Sequence, residues 1–146
     1  MANQIANGFK QAVLRGDING SSDTFKIILM KSGFTFAQAS HKKYLDVLSS
    51  EVANGSGYTT GGATLSGVTT SLDDTSNFGK ITWSDAQWNA TGTLVAAGAI
   101  IYDDTTTTGS GHLYTDVIVA YIDFGITYTI PSGAPLFVKN INVVFT

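Results

Sequence analysis

Two histidines, two pairs of adjacent aspartates and one glycine-dense run carry the chemical potential of this chain. Nucleophilic catalysis needs a base within reach of a nucleophile. His41 and His112 are the available imidazoles, yet neither lies in a recognisable motif and no G-x-S-x-G elbow occurs. His41 is expected to open a helix, and His112 to sit in an exposed loop after Gly109-Ser110-Gly111.

Paired carboxylates can do acid–base work, which directs attention to Asp73-Asp74 and Asp103-Asp104. Adjacent residues on a strand point to opposite faces, so such pairs rarely converge on one substrate. Both pairs fall where turns are expected, and Asp side chains in turns commonly bind nearby backbone amides. A calcium site built from Asp103, Asp104 and Asp116 is the alternative, because hard oxygen ligands suit that ion. The EF-hand spacing is absent, and no metal or cofactor is assigned.

The run Gly55-Ser56-Gly57-Tyr58-Thr59-Thr60-Gly61-Gly62 has the glycine density of a phosphate-cradling loop. It lacks the P-loop lysine, and it follows an expected helix and precedes an expected strand, which is the reverse of the needed order. The favoured reading is a loop with several left-handed backbone positions leading into a sheet. No catalytic residue is assigned, so the chain reads as non-enzymatic.

Aromatic residues are the remaining resource. Trp83 and Trp88 flank Ser84-Asp85-Ala86-Gln87, and Tyr102, Tyr114, Tyr121 and Phe124 lie on or beside later strands. Exposed in a row they would stack against sugars; buried they are core or subunit interface, which is the favoured reading. Trp83 is expected to point inward. Phe9, Val13, Tyr58, Trp88 and Tyr114 are the candidate interaction residues.

The elements that would hold these residues are mostly strands. Ile5, Phe9, Ala12 and Val13 recur at helical spacing, with Asn3 as a possible cap, so residues 1–22 read as a helix and arm. Thr24-Phe25-Lys26-Ile27-Ile28-Leu29-Met30-Lys31 reads as a strand covered on both faces. Tyr44, Leu45, Val47, Leu48 and Val52 supply an apolar stripe for a second helix near 41–53, stopped by Asn54-Gly55. Beyond it, strands are expected over 63–71, 78–83, 93–102, 116–124, 126–130 and 136–145. The expected architecture is a single mainly β domain, 1–146. It is a β-sandwich or jelly-roll-like double antiparallel sheet, with its core over 23–146 and one or two short N-terminal helices.

Composition narrows the function classes. Only 13% of residues are charged, about half the usual ~25%, so the surface loses little ionic hydration on docking. Many extracellular β-proteins share that property, and both readings stay open. A net charge of -3 and a single arginine, Arg15, argue against a phosphate-backbone partner. There is no cysteine, which excludes disulfides and thiolate zinc sites. Met1-Ala2-Asn3-Gln4 lacks the layout of a signal peptide, and no apolar run approaches membrane-helix length. The chain is therefore expected to be made in a cytoplasm and to have no membrane partner.

A set of ordered fragments adds a resemblance. They are Asp23-Thr24-Phe25-Lys26-Ile27-Ile28-Leu29, Phe34-Thr35-Phe36, the run from Ser50-Glu51-Val52-Ala53-Asn54 through the glycine loop, Ile81-Thr82-Trp83, Ala99-Ile100-Ile101-Tyr102-Asp103-Asp104 and Ala120-Tyr121-Ile122-Asp123-Phe124-Gly125. In this order the chain resembles small tailed-bacteriophage virion proteins of the head decoration, or cement, type. The resemblance implies a virion location after synthesis in the bacterial host cytoplasm. It implies the major capsid protein as partner and a homo-oligomer, trimer or dimer. A tail, neck or fibre component is the alternative, with the helix around Phe9 as an attachment segment. A carbohydrate-binding module using Trp83, Trp88 or Tyr114 is a third reading.

Overall fold

A run such as Phe25-Lys26-Ile27-Ile28-Leu29-Met30 can be stable only between two covering layers. In the computed structural model, which describes residues 2–146 (side chains from residue 4), it becomes β2, Phe25–Met30, with only Lys26 incompletely buried. β2 lies within a five-stranded antiparallel sheet of order β1-β8-β7-β2-β3. The partners are β1 (Ala2–Ile5), β3 (Ala63–Thr64), β7 (Leu94–Asp103) and β8 (Val117–Ile130). With 42% strand and 13% helix, the fold is mainly β and sandwich-like.

Register decides what each face carries. Ile28 pairs with Ile100, and Ile100 with Tyr121, so these side chains share one face. On that face Tyr121 packs against Phe34 and Phe36, and Tyr102 stacks on Tyr44 at 4.8 Å. The cover there is the irregular segment that follows β2. On the opposite face Phe25 meets Trp83 edge-on at 5.1 Å, so Trp83 points inward as expected.

That second cover comprises a three-stranded sheet, β10-β5-β4, and a two-stranded sheet, β6-β9. The strands are β4 (Thr69–Asp73), β5 (Phe78–Thr82), β6 (Ala86–Asn89), β9 (Pro135–Val138) and β10 (Asn142–Phe145). The two small sheets are halves of one bent ribbon. Past the last β5–β10 pair, Trp83 N–H donates to Ile141 O at 3.0 Å, Asn140 N–H donates to Asp85 Oδ1 at 2.9 Å, and pairing resumes at Ala86–Val138. Asn140 has φ 54°, a turn conformation that breaks the expected strand over 136–145 in two. The same bend hides β6, whose Ser84-Asp85 approach reads as a turn in the sequence.

Two further expectations are corrected. Ile5 and Asn3 lie on β1, not on a helix; α1 spans Asn7–Arg15 after Ala6, and Gly16 ends it in the left-handed conformation. The helix near 41–53 does not form. Two short 3-10 turns, Tyr44–Asp46 and Leu48–Ser50, stand in its place, with Leu45 and Leu48 exposed. Tertiary hydrogen bonds take the backbone groups a helix would use. Ile118 N–H donates to Lys42 O, Lys31 N–H to Ser50 O and Val52 N–H to Leu29 O, all at 2.9 Å. The segment is a strap tied to β8 at one end and β2 at the other.

Strand 116–124 and strand 126–130 are continuous as β8, but the expected break survives as a bulge. Ala96 pairs with Tyr128 and Gly98 with Asp123, so residues 124–127 of β8 face the single residue Ala97. Buried side chains from Ala6 to Val143 form one cluster. Among the described residues no helix is long and apolar enough to cross a membrane.

Candidate functional site

His41 and His112 both serve the backbone. His41 Nδ1 accepts from Ala37 N–H at 3.1 Å, and its ring packs against both Phe34 and Phe36. It follows a turn and opens no helix. His112 Nδ1 accepts from Thr107 N–H at 3.2 Å and closes its own loop.

The aspartate pairs diverge. Asp73 Oδ1 accepts from Thr75 and Ser76 N–H, both at 2.9 Å, and the Ser76 amide draws its pKa below the ordinary value. This is the turn role expected of it. Asp104 pairs with Lys26 at 3.1 Å, whereas Asp103 ends β7 fully buried. Burial raises the Asp116 pKa, and the Asp104 charge adds to it. Among the described residues no group of three or more acidic or histidine side chains is placed to hold a metal. The calcium set Asp103, Asp104 and Asp116 is not assembled.

The glycine loop behaves as expected and gains a partner that the sequence did not disclose. Gly55, Ser56, Gly57, Gly61 and Gly62 all have positive φ. Glu51, 3% exposed, sits beneath them. Its Oε1 accepts from Tyr58 Oη at 2.6 Å and Gly61 N–H at 2.7 Å, and its Oε2 accepts from Tyr44 Oη at 2.5 Å. Tyr58 Oη also accepts from Leu29 N–H of β2 at 3.2 Å, and Tyr102 Oη donates to Gly61 O at 2.9 Å. Burial, then the bonds to Glu51, push both the Tyr44 and Tyr58 phenols well above the ordinary tyrosine pKa. A buried carboxylate with three donors is satisfied. The cluster is a structural clamp that ties the strap and the glycine loop to β2.

The candidate interaction residues separate cleanly. Phe9, Tyr58 and Trp88 are at most 6% exposed, so their rings cannot form a docking surface on this chain. Phe9 packs against Phe145 at 5.6 Å, and Trp88 against Tyr58 at 6.3 Å. Tyr114 is half-buried, with Lys42 Nζ 6.0 Å from its ring centre. Only Val13 is exposed, beside Leu14 on α1. With both tryptophans buried, the sugar platform they would form does not exist.

A patch of exposed aromatic and aliphatic side chains lies where the far half of β8 meets β9. Ile126, Tyr128 and Phe137 are 61%, 42% and 44% exposed. Phe124 and Tyr128 meet edge-on at 5.9 Å, and Phe137 carries Lys139 Nζ at 5.1 Å over its ring. A groove of about 430 Å³ runs between them, floored by Leu136. β9 alternates outward and inward, which turns Phe137 out while Leu136 and Val138 anchor it. β8 brings Phe124 and Tyr128 together through its bulge, where Gly125 has φ 76° and donates its N–H to Asp123 Oδ1. An isolated glycine within a strand pattern is the sequence signal that marks such a bulge.

No protein-family model matches the chain, and no curated protein or solved structure is significantly similar to it.

Proposed function

We propose that this protein is a non-enzymatic structural component of a tailed-phage particle. In this reading it is a homo-oligomeric decoration protein that binds and stabilises the shell of major capsid protein. The observation that carries the reading is the apolar groove of Phe124, Tyr128 and Phe137 on β8 and β9. Aromatic anchors around an apolar floor, with one lysine at the edge, are the chemistry of a protein interface centre. The ordered sequence resemblance supplies the partner. The His41, Asp73 and Glu51 chemistry is engaged in holding the fold, which fits a protein selected for packing. A tail role that uses the helix around Phe9 as a free attachment segment loses its motivation, because Phe9 is wholly buried.

Co-sedimentation with expanded phage heads tests the proposal. The wild-type chain is expected to bind saturably. Phe137→Asp and Tyr128→Asp place a charge in the groove, and each is expected to weaken binding by about 30-fold or more, as for an interface hot spot of at least ~2 kcal/mol. Their thermal midpoints should stay near that of the wild type, since both side chains are exposed. Unchanged head binding by both variants, or labelling of tails alone on intact particles, would count against the assignment.

A further inference from the structure

Asp103 presents an unusual account. Its Oδ1 accepts from Thr105 N–H at 2.8 Å, but its Oδ2, equally buried, meets no donor. Such an oxygen is costly to leave bare. Its neighbouring side chain is another carboxyl, Asp23, in the turn that leads into β2. Two carboxylates can only accept, so a hydrogen bond between them requires a proton on one.

Among the described residues, no cation on the elements around the pair is free to take the proton's place. Lys26 of β2 is engaged by Asp104 at 3.1 Å, and Asp116 adds negative charge beside that ion pair. Asp23 Oδ2 is held by Asn19 N–H at 2.6 Å. The same joint is bridged by Asp104 N–H to Thr24 O at 2.8 Å and Thr24 N–H to Thr105 Oγ1 at 2.7 Å.

We propose that Asp23 and Asp103 share one proton and form an acid-closed latch between the Asn19–Thr24 turn and the end of β7. When the proton leaves, the fully buried Asp103 carboxylate faces a second negative charge on the half-buried Asp23, and the turn loosens from the sheet.

Burial is the main cause that lifts Asp103, opposed by the Thr105 amide and hydroxyl and assisted by Asp23; together they raise it from 3.8 to about 7. The unfolded chain releases this proton near the ordinary carboxylate value, whereas the folded chain keeps it longer. The latch therefore contributes fully below about pH 4 and is lost as pH rises through about 7.

Thermal melts of the full chain at several pH values, for wild type, Asp103→Asn and Asp23→Asn, provide the test. The wild-type midpoint is expected to fall by about 5 °C or more between roughly pH 5 and pH 8. Asp103→Asn supplies a permanent donor to Asp23, so its profile should be nearly flat and lie above the wild type at the alkaline end. Parallel profiles for wild type and Asp103→Asn would overturn the latch. So would calcium chloride raising the alkaline midpoint of wild type but not of Asp103→Asn, since a cation would then be the missing partner. Carbon-13 titration of the wild-type Asp103 carboxyl decides the matter even where a variant folds poorly. A midpoint in the ordinary aspartate range would sink the proposal.

Discussion

Glu51→Ala is expected to lose about 3–5 kcal/mol of folding stability, a cost set by one buried and two half-buried donors left without their acceptor. Tyr44 Oη, Tyr58 Oη and the Gly61 amide all terminate on this carboxylate. Water cannot readily replace it, because Glu51 is 3% exposed and Tyr58 2%. Glu51→Gln retains one acceptor oxygen but turns a donor toward a phenol, so an intermediate loss is expected. Tyr58→Phe should cost about 1–2 kcal/mol, because it removes one of the three donors and also frees Leu29 N–H. Urea denaturation of the single and double variants measures these terms. In a double-mutant cycle, Glu51→Ala and Tyr58→Phe should fall well short of additivity. A loss below about 1 kcal/mol for Glu51→Ala would mean that the clamp does not hold the fold.

Gly62→Ala is expected to cost about 2–5 kcal/mol, for a steric reason. Gly62 has φ +77°, and a Cβ there would lie 2.0 Å from Ile27 O and 2.7 Å from Ile27 C. Both are backbone atoms of β2, at the register point where Ile27 pairs with Ala63. Neither can yield without parting β2 from β3. The left-handed backbone adds about 1–2 kcal/mol, and the overpacking about 1–3 more. Gly61→Ala is the internal control. Its φ is +93°, but its added Cβ meets nothing within 4 Å, so only the conformational cost applies. Circular dichroism melts should therefore show a large drop for Gly62→Ala and a small one for Gly61→Ala. Equal drops would show that chain stiffness, not close approach, explains the glycines.

Both variants act on the same feature, the run over residues 51–62. Its glycines signal positive φ in the sequence, because only that residue type enters the left-handed region freely. Glu51 gives no such signal. A single glutamate before an expected helix stop reads as a surface residue, and it becomes a buried acceptor only when the strap lies across the sheet. The helix expected near 41–53 fails for the same cause. Its apolar residues have helical spacing, but the edges of β2 and β8 offer its backbone better partners than its own turns do. Trp88 stands among the candidate interaction residues but is buried, whereas Tyr128 and Phe137 are exposed and local pattern does not single them out. Alternation along β6 and β9 assigns each residue a side, but which side faces the core depends on the ribbon that Asn140 and Asp85 bend.

Properties that belong to a residue and its immediate neighbours were legible from the sequence by itself. The doubly covered run that became β2, the β-rich character after Gly55, the turn at Asp73, the inward Trp83 and the absence of thiol chemistry all follow from local pattern or composition. The tertiary structure alone decided which carboxyls meet which partners: Glu51 with Tyr44 and Tyr58, and Asp103 with Asp23. It also decided that the exposed aromatics are Tyr128 and Phe137 rather than Phe9 and Trp88. The physical reason is register. A one-residue shift in strand pairing exchanges the two faces, and the register of β8 and of the bent ribbon is settled by contacts between segments far apart in the chain.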